Sequence, residues 1–309
     1  MREDILFKMD SPYRGTFRIK GFRFGKGKKS LCIVGSMRGD EIQQQYICSQ
    51  LVRKLAALER ENKITDGNEI LIIPTCNPFS MNIEKRFWAM DNTDINRMFP
   101  GYEMGETTQR IADAVFKSIQ DYQFGIQMAS FYMPGDFIPH VRMLKTGYEQ
   151  ADIALKFRLP YVCIRKPKPF DTVLLNYNWQ LWGAAAFSIY AGQTNEVCQE
   201  SSTKTIQAVL RFMNETRLIE YNSYERGYNS VVLDEEELIS VKANTAGIYN
   251  AIRNAHDEVR EGEVIAQILD PYNGELLEQV TSPADGTIFF AHNKPLALQG
   301  TPLFKIVDR

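Results

Sequence analysis

The sequence predicts an α/β protein: a sheet covered by helices on both faces, followed by a small all-β unit. Three observations carry this reading. From about residue 15 to residue 217, short apolar β runs alternate with segments of helical period. Near residue 230 the character changes, and short β runs separated by glycine turns replace the helices. Within that tail, 246–270 (AGIYNAIRNAHDEVREGEVIAQILD) resembles 285–308 (DGTIFFAHNKPLALQGTPLFKIVD), as the two halves of a pseudo-symmetric sandwich would. The expected division is a domain over 1–230 and a β domain over 231–309.

Taken in order, 15–23 and 30–35 alternate or run apolar and read as strands, with GKGKK between them as a polar hairpin turn. From Asp40 to about Asn62, Ile42, Tyr46, Ile47, Leu51 and Leu55 recur at helical spacing, with Asp40 as the expected N-cap. EILIIPT (69–75) reads as a buried strand. The long loop 76–105 is rich in Asn, Asp, Pro, Met and Arg, and a loop of that length inside a domain is usually functional. Helix 106–120, strand 123–129 and an irregular stretch 130–147 follow. After them come helix 148–156, strand 160–164, helix 171–182, strand 185–191 and helix 203–217. The aromatic run NYNWQLW (176–182) reads as helix core. The tail shares its repeat with lipoyl and biotinyl domains, but its central hairpin, DPYNGELLEQ, has no lysine to modify, so it reads as an unmodified β module.

The totals exclude several classes. The chain has 309 residues, a net charge of −2 and no strongly basic segment, so nucleic acid is not an expected partner. The longest apolar candidate, LWGAAAFSIYAG, is far short of the roughly 20 residues of a membrane span. MREDILFKMD lacks the apolar core of a signal peptide, and the five cysteines are scattered without a CxxC. The expectation is a cytoplasmic protein with reduced thiols. There are three histidines, and only His140 precedes residue 240.

The most specific stretch is 77–101, NPFSMNIEKRFWAMDNTDINRMFPG. Asn77-Pro78, Arg86 and Asp94-x-Asn96-Arg97-x-Phe99-Pro100-Gly101 resemble the succinylglutamate desuccinylase/aspartoacylase family, relatives of the zinc carboxypeptidases. GSMRGDE (35–41) looks like the family's G-x-x-H-G-[DN]-E. FGIQMAS…IPHVR (124–142) and FSIYAG (187–192) look like its D-[IL]-H-[ST]-A-S…P-H-x-R and T-[ILV]-E-x-G. The resemblance covers nearly the whole chain. It implies a three-layer αβα zinc-carboxypeptidase-like domain with a mixed sheet, plus a small C-terminal all-β barrel-sandwich-like domain. In active members a His, a Glu three residues later and a distant His bind zinc, a further Glu is the general base, and arginines hold the substrate carboxylate.

Carried over residue by residue, the first zinc His falls on Arg38 and the zinc Glu on Glu41. The second His falls on Gln127, the Asp two before it on Gly125, and the general base on Tyr190. Arg86, Asn96 and Arg97 match. Arginine has no lone pair to give a metal, and a phenol is a poor base at neutral pH. Glu41 alone cannot hold zinc, so no metal is expected at Arg38, Glu41 and Gln127. Calcium or magnesium would want more carboxylates than Asp40, Asp91 and Asp94 supply, and Asp94 reads as ordering the loop. The resemblance therefore implies a pseudoenzyme with a cationic pocket of Arg38, Arg86, Asn96 and Arg97 for a small carboxylate, such as an N-acyl amino acid. A homo-oligomer or an active paralogue is a further possible partner. The alternative is an active deacylase of amides or esters with an atypical zinc site, or a Cys76 nucleophile. The plainer reading of Arg38 and Glu41 is a surface ion pair, and of Gln127 and Tyr190 core packing.

Overall fold

The computed structural model describes residues 1–12, 14–223 and 225–308. The elements of the first part are β1 (Arg2–Ser11), β2 (Arg14–Gly25), β3 (Gly27–Ser36), α1 (Ile42–Arg60), β4 (Gly67–Thr75), α2 (Pro78–Met81) and α3 (Thr107–Ile119). They continue as β5 (Phe124–Ala129), β6 (Gly135–Phe137), β7 (His140–Leu144), α4 (Ala151–Ala154), β8 (Tyr161–Arg165), α5 (Leu175–Leu181), β9 (Ala185–Tyr190), α6 (Gln199–Glu215) and β10 (Val231–Asp234).

Every residue of β5 is buried, on both faces of the strand. A strand with no polar side must lie between two layers. The layers are present: α1 and α6 cover one face through Ile47, Leu51, Leu55, Val209 and Phe212. On the other face α3 and α5 bring Ile111, Val115, Phe116 and Trp179. The nine-stranded sheet runs β1-β2-β4-β3-β5-β9-β7-β8-β10. β4, β3, β5 and β9 are parallel neighbours. β2 joins antiparallel to β4, and β7 antiparallel to β9, so the sheet is mixed.

The second part packs a sheet that includes Ile239–Lys242, Pro302–Asp308 and Gly286–His292 against one that includes Val264–Leu269, Leu276–Thr281 and Gly247–Ala251. Ile265, Ile268, Ile288, Leu303 and Phe304 fill the space between. The two parts interlock. β6 leaves the first part and pairs with Gly286–His292, setting Phe137 against Phe290. Glu235 accepts a bond from Arg142 and one from Lys305 at 2.9 Å, with Arg165 at 3.6 Å. Burial works against its charge, but Arg142 and Lys305 outweigh it and hold the carboxyl down at about 2.

Several expectations change. β1 is a strand that no sequence pattern announced. GKGKK does not close a hairpin, because β4 lies between β2 and β3. Asp40 does not cap α1: the N-cap is Glu41, without a side-chain cap bond, and Asp40 turns to Arg86. The irregular stretch 130–147 contains β6 and β7. β10 completes the large sheet beside β8, so that sheet runs to Asp234. No helix among the described residues is long and apolar enough to cross a membrane.

Candidate functional site

β3, β5 and β9 run parallel side by side, so their C-terminal ends, at Ser36, Ala129 and Tyr190, open on one edge of the sheet. Parallel sheets place their sites at that edge. The turn after β3, the loop 76–105 and the stretch after β5 meet there. Gly39 makes the meeting possible: a Cβ on it would stand 2.2 Å from the Lys85 carbonyl, and its N–H donates to the Arg86 carbonyl at 2.9 Å.

Glu41 is 1% exposed. Its carboxylate turns back over the preceding turn and accepts from the Met37 N–H at 2.7 Å and the Arg38 N–H at 3.0 Å. The Ser130 hydroxyl also donates to it. The Arg38 side chain adds a bond to Glu41 at 3.0 Å. On its other side the same guanidinium holds Asp94, from Nη2 at 2.8 Å and from Nε at 3.2 Å. Burial opposes the Arg38 charge, yet Glu41 and Asp94 outweigh it and raise its pKa above the ordinary arginine value. Asp94 also accepts from the Asn96 N–H at 3.0 Å, which starts the single turn Ile95–Arg97. It thus orders the loop, as read from the sequence, and also pairs with Arg38, which no short-range spacing indicates.

From Asn96 runs a chain of buried polar side chains. Gln127 donates to Asn96 at 2.9 Å and accepts from Asn176 at 3.1 Å, and Asn176 donates to the Ser188 hydroxyl. All four side chains are buried. At Gly125 a Cβ would meet the Trp179 ring at 2.7 Å. The indole therefore fills the space that any side chain at 125 would need.

Tyr190 stacks on His140, with centroids 5.3 Å apart and planes at 6°. The Arg142 guanidinium lies 5.5 Å from the Tyr190 ring and 4.9 Å from Phe131. Burial drives the His140 pKa down to about 3, so the ring is neutral; its Nδ1 bonds the Ile138 carbonyl at 2.8 Å. A cavity of about 10 Å³ lies between Gln44, Ser130, Phe131 and Tyr190. That is room for about one water.

Arg86 pairs with Asp40 at 2.7 Å and reaches the Phe131 carbonyl at 3.2 Å. Arg97 is the most open of the three arginines. Its side chain is 43% exposed, it comes within 3.6 Å of Asp94, and it lies 5.6 Å from the Phe170 ring. The three guanidiniums expected to ring a cationic pocket thus come together, but Asp40, Asp94 and Glu41 stand among them, and the charges balance.

The sequence profile of the succinylglutamate desuccinylase/aspartoacylase catalytic domain matches residues 27–216. This chain belongs to that family. No curated protein matches it. Among solved structures it is similar to a succinylglutamate desuccinylase from Silicibacter sp. TM1040, at 17% identity and TM-score 0.82, over 99% of this chain and 95% of that one. It is similar to the ectoine utilization protein EutE (DoeB) from Ruegeria pomeroyi, at 16% identity and TM-score 0.79, over 96% and 90%. A succinylglutamate desuccinylase/aspartoacylase from Rhodobacter sphaeroides gives 20% identity and TM-score 0.77, over 94% and 89%. At these identities the likeness establishes the shared fold.

The side chains at the positions to which the resemblance carries zinc ligands, Arg38, Glu41 and Gln127, bond protein groups. Among the described residues no group of three or more His, Cys, Asp or Glu is placed to hold a metal. Glu41 and Asp94, the nearest carboxylates, are bound to a guanidinium. Gln127 spends both ends of its amide on Asn96 and Asn176. Cys76 is fully buried, and burial pushes its thiol pKa far above the usual range, which suits packing and not nucleophilic attack. Trp179 lies in the core, as read from the sequence, while Asn176 of the same helix joins the Gln127 chain. Its only sequence signal was an asparagine inside a buried helical run.

Proposed function

We propose that this chain is a non-hydrolytic member of the succinylglutamate desuccinylase/aspartoacylase family: a carboxylate-binding protein in which an ion-pair network does the structural work of the metal. One observation carries the reading. Arg38 places a permanent positive charge between Glu41 and Asp94, at the position the family gives to a zinc ligand. A buried carboxylate needs a counter-charge. Arg38 supplies it without the open coordination position that metal hydrolysis requires. Tyr190, stacked on a neutral His140, offers no base at the position of the family's Glu.

Carboxylate recognition rests on Arg97, since Arg38 and Arg86 are engaged by buried or half-buried acids. A small carboxylate, such as that of an N-acyl amino acid, would bond the open face of the Arg97 guanidinium.

The test is a panel of N-acyl amino acids and simple esters assayed for hydrolysis with and without added zinc. Thermal unfolding is followed in parallel with the same compounds. Stabilisation by carboxylates that Arg97→Ala abolishes, without turnover, supports the proposal. Metal-dependent turnover lost in Glu41→Ala would establish instead an active amide or ester hydrolase with an atypical metal site.

A further inference from the structure

The second part has a four-stranded sheet in the order Leu276–Thr281, Val264–Leu269, Gly247–Ala251 and Leu296–Ala297. Its companion sheet makes the joint with the first part, through β6 on Gly286–His292 and Lys305 on Glu235. One face of the four-stranded sheet turns inward and buries Tyr249, Ile268, Val280 and Ala297. On the opposite face the register builds a row. Leu296 stands opposite Ile248, Ile248 opposite Leu269, and Leu269 opposite Leu276. Four apolar side chains therefore line up across every strand. Leu296 is 64% exposed, Leu276 49% and Ile248 39%. Leu277, which the pairing skips, adds a further exposed side chain beside the row. Two residues along, Asn250, Gln267 and Gln279 form a second row, of amides. Neither row holds a charge. A contiguous apolar stripe on a solvent face marks an interaction surface.

The pattern selects the occupant. A strongly acidic or basic partner finds no counter-charge in either row. The same face of a second chain finds a match in both. The apolar row reads Leu, Ile, Leu, Leu from edge to edge, so reversing it sets side chains of like size on one another. An amide both donates and accepts, so the amide row can bond its own image. The charges at the margin agree. Glu278 is held by Asn244 and Thr245, Glu263 by Arg253, and Asp270 by the N–H groups of Tyr272 and Asn273. Lys294, beside the Leu296 edge, and Glu275, beside the Leu276 edge, are exposed and make no ion pair among the described residues. A two-fold axis along the strands brings the first edge of one copy over the second edge of the other, so opposite charges meet.

We infer that this face is a homodimer interface: two chains stack their four-stranded sheets about that axis, Leu296 of each over Leu276 of the other and Ile248 over Leu269. Four strands about 4.8 Å apart make a small face, and pairing it buries roughly 1,000 Å² in total, the size of a weak interface that dissociates in the micromolar range. The interface shares no residue with the site around Arg38, so it stands or falls independently of the proposed loss of hydrolysis.

Sedimentation velocity on the full chain, from about 1 μM to about 1 mM, tests it. The mass should rise from one chain toward two across that range. Leu296→Asp, at an exposed position, puts a charge into the apolar row of both copies and should raise the dissociation constant at least tenfold. Gln267→Lys, in the amide row, should do the same, and thermal unfolding of each variant checks that it folds. Lys294→Glu should weaken the dimer, and adding Glu275→Lys should restore it. A single-chain mass up to about 1 mM overturns the inference. So does a dimer that keeps its strength in Leu296→Asp and Gln267→Lys, which places the contact on another face, or one that the charge exchange leaves weakened.

Discussion

Replacing Arg38 by Met keeps most of its volume and removes its charge. A surface ion pair would contribute about 0–1 kcal/mol and its loss would hardly register. Arg38 is not at the surface: it is 8% exposed, Glu41 1% and Asp94 9%. Removing one member of a buried pair costs about 3–5 kcal/mol, because the remaining charge is stranded. Here two carboxylates lose their partner, which argues for the upper end. Against that, Glu41 keeps the Met37 and residue-38 N–H groups and the Ser130 hydroxyl, and Asp94 keeps the Asn96 N–H. These donors hold the expected cost nearer 3 kcal/mol. Urea unfolding of the wild type, Arg38→Met, Glu41→Gln and the double variant measures it. The double variant should be more stable than the two single losses predict by about 1–2 kcal/mol, since it no longer strands the Glu41 charge. A single-variant loss below about 1 kcal/mol, or strict additivity, would refute the argument that Arg38 neutralises a buried carboxylate.

Stability should fall on acidification from pH 7.5 to 5 through His140. Its folded pKa is depressed to about 3 from the ordinary 6.5, so between those values the unfolded chain binds the extra proton and is favoured as pH falls. At pH 5 this amounts to ~2 kcal/mol, and His140→Gln should flatten the slope in urea titrations at the two pH values. Gly125→Ala should lower stability by about 1–3 kcal/mol, read by thermal unfolding, because its methyl would enter the Trp179 ring. Unchanged stability there would show that the indole moves aside freely.

The layers of the fold were legible because buried parallel strands and amphipathic helices write distinct periods into the sequence. α3 lies within a residue of the predicted helix, and β5 lies within the expected strand 123–129. Strand order was not legible. GKGKK has the polarity of a hairpin turn, yet the strands on either side of it are held apart by β4, a choice made by the whole sheet. β1 alternates too weakly to announce itself, since its charged residues face solvent at the sheet edge.

The site divides in the same way. The pairing of Arg38 with Glu41 follows from their spacing in one turn. The pairing of Arg38 with Asp94 spans 56 residues, so only the folded loop reveals it. Three arginines in a row of motifs suggested a cationic pocket, and the acids that balance them come from positions whose roles were read as a cap and a loop brace. Gly125 stands where the resemblance puts an Asp, and Trp179 from α5 occupies the room that the glycine leaves, which only the folded chain reveals.

The central claim is that Arg38 stands in for the metal of the family site. The most direct measurement is zinc content by atomic spectroscopy after the chain is equilibrated with zinc and desalted, for the wild type beside Arg38→His/Gln127→His. The account predicts that the wild type retains far less than one equivalent while the double variant, with Glu41 as third ligand, retains zinc. One tightly held zinc per wild-type chain, lost in Glu41→Ala, would contradict it.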